Sequence, residues 1–187
     1  MIKKSNTMSS TINDLSMGAV ALAFVPDTPV TWHILLINQK TEGGGAYWGL
    51  PKGHPEGTET QEQTAVREVN EECGTALTTR DLVPGIWESE NYTYYGSPHG
   101  GGPRVRIEKI VRYGLALIDG PTLPALTIQA AEIHEAAWFP LDQALKRLRH
   151  DGQRRVVRNL LRKYFVSVQQ HAAKVLQAPV WPLLFVE

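Results

Sequence analysis

The chain has a single cysteine, Cys73, among its 187 residues. That excludes a disulfide framework and a cysteine-built zinc site, and it suits a reducing compartment. There is no surplus of charge of either sign: 19 Lys and Arg stand against 19 Asp and Glu. No global field therefore draws the chain to nucleic acid or to an acidic membrane, and any site for a polyanion must be local. There is no long hydrophobic run either. Residues 17–25 are apolar but too few to span a bilayer, and residues 1–16 are polar, without the hydrophobic stretch of a secretory leader. No segment repeats. What remains, 42% hydrophobic and 20% charged residues, is ordinary globular composition. The length suffices for one domain with its own core. The expectation is a soluble, cytoplasmic protein, with the nucleus open as a second compartment.

Along the chain, residues 1–16 read as a loose polar tail. Strands are expected at 18–25 and 33–39 around turn residues 26–29, and then at 86–95, 105–118 and 136–139. Thr58 or Thr60 can cap a helix that runs to Cys73 and stops at Gly74. Pro140 opens a helix to about residue 149. A last helix over 154–175 carries Val157, Leu160, Leu161, Tyr164 and Val168 on one stripe. Strands followed by helices imply an α/β (α+β) domain with a mixed sheet covered by helices. Its boundaries are expected at 17–170, followed by an apolar C-terminal tail, 171–187, packed on the body or on a second subunit of a homodimer.

The chemistry concentrates in residues 48–74, WGLPKGHPEGTETQEQTAVREVNEECG. At about 100° per residue, Glu68, Glu71 and Glu72 share an arc of about 100°, with Ala65, Val66, Val69 and Cys73 beside it. One face can bury against a sheet while its edge presents three carboxylates. At about 6 Å and an effective dielectric of about 20, each pair of charges repels by about 3 kcal/mol. A hard divalent cation, magnesium or manganese, is the natural counter-charge for such oxygens. Arg67 can hold one of the carboxylates by a bidentate pair, with Glu71 or Glu59 as its partner. A solvated acidic helix face laced with i,i+4 pairs is the plainer reading of the same residues.

The spacing of Gly53, Glu59, Arg67, Glu68, Val69, Glu71, Glu72 and Gly74 resembles the Nudix box, with Thr75 where an aliphatic residue is usual. The resemblance implies the Nudix fold, a mixed sheet between helices, over roughly residues 16–165. It implies hydrolysis of a diphosphate by water, with Glu68, Glu71 and Glu72 as metal ligands and the Gly53 carbonyl joining them. Glu59 and Gly74 are structural positions of the box. Glu132 stands six residues before Trp138, as a glutamate does in the diadenosine tetraphosphate hydrolases of that family, and is a candidate ligand or general base. Glu135 is its rival.

Lys52 and His54 flank the box glycine and are candidates for substrate phosphate. Tyr94 and Tyr95, with Trp87 and Tyr92, can stack on a base or simply pack. Arg104 and Arg106 share a strand face and could hold a highly phosphorylated ligand. The basic residues Lys146, Arg147, Arg149, Arg154, Arg155, Arg158 and Arg162 leave a nucleic-acid contact open, though a solvated face is the commoner outcome. The expected substrate is a small polyphosphate of the dinucleoside kind. A diphosphoinositol polyphosphate is the alternative, and a catalytically silent nucleotide- or RNA-binding module is the alternative of another class.

Overall fold

A computed structural model describes residues 11–26, 31–41, 44–97, 103–120 and 122–176. The elements are β1 (Thr11–Val25), β2 (Thr31–Lys40), β3 (Ala46–Gly49), β4 (Lys52–Gly53), α1 (Gln61–Cys73), β5 (Leu82–Gly96), β6 (Val105–Ile118), β7 (Ile133–Pro140), α2 (Leu141–Arg147) and α3 (Asp151–Leu176). The strands form one mixed sheet in the order β3-β2-β1-β6-β5, with β4 paired to β1 and β7 to β2.

The sheet is covered on both faces, which explains the uninterrupted apolar runs in β1 and β2. Val20, Leu22, Ile34, Leu36, Tyr113 and Leu115 face α2 and α3, where they meet Ala144, Val157 and Leu160. Their alternate neighbours Ala19, Ala21, Leu35, Ile37 and Ala116 face α1 and meet Val66, Val69 and Cys73. Among the described residues no helix is long and apolar enough to cross a membrane.

Several boundaries move from their sequence-based positions. Thr11–Ser16, expected as tail, extend β1 and run parallel to β6 from Thr11 opposite Arg106 onward. Residues 1–10 lie outside the described residues. β5 begins at Leu82 because a bulge between Leu82 and Trp87 lets the strand continue past Pro84 and Gly85. Gly85 takes a φ of 72° there. β7 starts three residues earlier than expected, at Ile133. α2 stops at Arg147. α3 starts three residues earlier than expected, at Asp151, and runs through Leu176, one residue past its expected end. Its apolar stripe ends sooner, with Val168 exposed. The tail beyond 176 and loop residues 98–102 lie outside the described residues.

Candidate active site

α1 is fixed at both ends. The Thr60 side chain accepts from the Gln63 N–H while Gln63 accepts from the Thr60 N–H, a reciprocal capping box. Gly74 ends the helix at φ 67°, donating to the Asn70 carbonyl. Asn70 also explains the departure at Thr75, whose hydroxyl donates to the Asn70 side chain at 2.7 Å. A polar residue is thus satisfied where an aliphatic one would pack.

With α1 so placed, its acidic edge meets β4. The Glu68 carboxyl lies directly over Gly53: a Cβ there would sit 2.0 Å from the Glu68 carboxyl carbon. Only glycine leaves that space. Glu72 is 3% exposed and accepts the Lys52 backbone N–H at 3.0 Å. Burial, with Glu68 and Glu132 adding to it, pushes its carboxyl up to about 8, although Lys52 opposes the shift. Burial also raises Glu68, with Arg67 opposing.

Arg67 ties the cluster together. Its Nε and one terminal nitrogen clasp both oxygens of Glu59, at 2.8 and 3.0 Å. The other terminal nitrogen reaches Glu68 and Glu71, each at 2.9 Å. The His54 carbonyl accepts as well, at 2.7 Å. The two partners that the sequence left open, Glu59 and Glu71, are therefore both held. The Arg67 pair drives Glu59 down to about 2 and raises the already high Arg67 further.

Among the described residues no three His, Cys, Asp or Glu side chains stand gathered in ready-made metal geometry. Glu68 and Glu71 are turned to Arg67. The donor set nonetheless fits a hard cation, because Glu68, Glu71 and Glu72 border one cavity of about 350 Å³ together with Gly53, Arg67, Gln129 and Glu132. Glu132 reaches this cavity, whereas Glu135 sits opposite Asn38 on β7 and does not line it.

Sequence reasoning brought His54 to this cavity but did not assign Lys109, Asp14 or Ser16 to it. Lys109 is 6% exposed and donates to Asp14 at 2.7 Å and to Ser16 at 2.6 Å, with the His54 Nε2 at 3.3 Å. His54 also meets Asp14, at 2.7 Å. Burial lowers Lys109, with Asp14 opposing. Burial works against the Asp14 charge too, but Lys109 and His54 outweigh it and its pKa falls. The position of Lys109 in phase with the inward-facing Ile107, Val111 and Tyr113 was the available signal. Asp14 and Ser16 carried none, because they reach the site only through the parallel pairing of β1 with β6.

A second cavity of about 680 Å³ shares Lys52 and Gln39 with the first. Tyr47, Tyr92, Tyr94, Glu90 and Arg155 line it. Tyr94 is thus brought to the site and Tyr95 is not, being 61% exposed. Arg104 and Arg106 border neither cavity. Arg104 donates to the Tyr95 carbonyl at 2.7 Å, and Arg106 pairs with Glu108 at 3.0 Å. Trp87 packs against the core layer beneath α1. The basic residues near α3 are largely engaged within the fold: Lys146 with Asp142, Arg147 over Phe139, Arg149 over Tyr47, Arg154 with Asp151 and Arg162 with Asn159.

Residues 16–160 match the model of the NUDIX domain. The chain is 29% identical over 154 residues to a proposed mutator protein, MutT4, of Mycobacterium tuberculosis, covering 82% of this chain and 57% of that one. It thus spans little more than half of that relative's length. A C. elegans Ap4A hydrolase in a binary complex superposes with a TM-score of 0.61 at 22% identity, over 83% of this chain and 98% of that one. A bifunctional NMN adenylyltransferase/ADP ribose pyrophosphatase of Francisella tularensis, complexed with AMP and a manganese ion, gives 0.55 at 25% identity, over 81% of this chain and 42% of that one.

Proposed function

We propose, from the premise that this chain belongs to the NUDIX domain family, that it is a divalent-metal-dependent pyrophosphohydrolase of nucleoside or dinucleoside polyphosphates. The observation that carries the reading is the packing of Glu68 on Gly53 with the buried Glu72 anchored to the Lys52 backbone N–H. This brings both carboxylates to one point, at an energetic cost that a bare structural helix has no reason to bear.

Glu68, Glu71 and Glu72 would hold magnesium or manganese, with the Gly53 carbonyl beside them. When bound, the metal neutralises phosphate charge and polarises the attacked phosphorus. Arg67 keeps Glu68 and Glu71 in position through its fork, and Glu59 fixes Arg67 in turn. Glu132, which lines the same cavity, would take the proton as water attacks phosphorus in line. The phosphoanhydride P–O bond breaks and its electron pair leaves on the departing phosphate. Lys52, at the junction of the two cavities, supplies a cation beside the phosphate chain. His54 and Lys109 complete that wall.

The tyrosine-lined cavity suits the nucleoside. The AMP bound to the Francisella structural neighbour supports the same class. No observation favours the diphosphoinositol alternative, since Arg104 and Arg106 lie off both cavities. The test is product-resolved hydrolysis of diadenosine and diguanosine tetraphosphates with magnesium, comparing the parent with Glu72→Gln. An enzyme loses about 10²–10⁴ in kcat. Binding without turnover in both proteins would establish a silent module instead.

A further inference from the structure

The wall of the larger cavity contains a carboxylate that the proposed hydrolysis does not use. Glu90, on β5, is 6% exposed. Arg155 and Lys52 bear on it by charge alone, and no described residue donates a hydrogen bond to it. Gln153 lines the same cavity, and its buried Oε1 has no partner. Gln153 is 4% exposed, and its amide nitrogen points to the Tyr113 hydroxyl at 3.5 Å. The Gln153 acceptor, buried without a donor, costs about 1–3 kcal/mol, and the Glu90 carboxylate, which receives no donor from the described residues, opens to the cavity, where a ligand can supply one.

The fold makes room for this arrangement. A Cβ at Gly152, in the first turn of α3, would fall 2.1 Å from the Glu90 Oε1. The carboxylate is therefore pressed against the end of α3 while its residue still lines the cavity with Tyr47, Tyr92 and Tyr94. The tyrosine rings offer faces to a planar group, and Glu90 offers acceptors to its edge.

We infer that Glu90 reads the base of the substrate and selects guanine. Two adjacent N–H donors, N1–H and the exocyclic N2 amine, match the two oxygens of a carboxylate. Adenine presents one amine next to a lone pair, which the carboxylate repels. Hypoxanthine keeps N1–H and lacks the second donor. The inference rests on the reading of this cavity as the nucleoside site. A site built to bond a donor rejects analogues lacking it, because the acceptor is then left bare.

The experiment compares kcat/KM for diguanosine, diinosine and diadenosine tetraphosphates with magnesium, in the parent and in Glu90→Gln. The parent is expected to prefer guanosine over inosine by about tenfold or more, expressed in KM. Glu90→Gln replaces one acceptor by a donor and should bring that ratio close to one. The guanosine–inosine comparison in the parent needs no variant, so it decides even if Glu90→Gln does not fold. Equal rates on all three substrates, a preference for adenosine, or a guanosine preference untouched by Glu90→Gln overturns the role of Glu90 and leaves the hydrolase reading standing. Cleavage of a diphosphoinositol polyphosphate but of no dinucleotide overturns the nucleoside reading, and this inference with it.

Discussion

Glu72 stands between Val69 and Cys73 on the helix face that packs under the sheet, and burial holds its carboxyl up near 8. A carboxyl raised in the folded state and ordinary in the unfolded one makes the folded state bind more protons between about pH 4.5 and 8. Its contribution is full below the unfolded pKa of 4.5 and is lost as pH rises through about 8. In metal-free protein, then, stability declines by a few kcal/mol across that window. Glu72→Gln removes the titrating group. Chemical denaturation in a chelator should find the two proteins alike near pH 5 and the variant more stable near pH 9. Parallel pH profiles would show that Glu72 is ionised throughout. Glu72 was readable from the sequence, because its helical angle to Glu68 is set by local geometry. Glu90 was not: it borders a cavity only because α3 docks against β5.

At the scale of elements, α1 was legible except for the choice of its cap, which the sequence left between Thr58 and Thr60. Its start, its stop and its two faces are all written within residues 58–74. The capping box is a local device with its own consequence. Thr60→Ala leaves the Gln63 N–H without its acceptor and should cost about 1 kcal/mol. For a domain of this size that lowers Tm by about 2–4 °C, readable by calorimetry. A Tm unchanged within error would mean that solvent caps the helix equally well. β1 was legible only in part. Its apolar half, from Gly18 on, declares itself, whereas Thr11–Ser16 are mostly polar and become strand through pairing with residues about 95 positions away. Such partners leave no local trace. The same holds for the bulge in β5, where Pro84 and Gly85 look like a break in isolation.

At the scale of the whole molecule, the sheet places two unlike cavities side by side, one acidic and one aromatic, joined at Lys52 and Gln39. A nucleoside polyphosphate spanning them must bring its phosphates toward Glu68, Glu71, Glu72 and Glu132. Without a counter-cation the ionised carboxylates among them repel it, and Lys52, Lys109 and Arg67 offset only part of that charge. Metal and nucleotide should therefore bind with positive coupling, each raising the affinity for the other by the same factor. Thermal melting with magnesium alone, a nucleoside diphosphate alone, and both together reads this directly, since each bound species raises Tm by mass action. The combined shift is expected to exceed the sum of the separate shifts by several degrees, a coupling of about 1–3 kcal/mol. Glu68→Gln, which removes one proposed ligand and one repelling charge, should shrink the coupling and let the nucleotide alone bind more tightly than it binds the parent. Strictly additive shifts in the parent would place metal and phosphate in separate sites, and the acidic cavity would then be no part of the path that the polyphosphate takes.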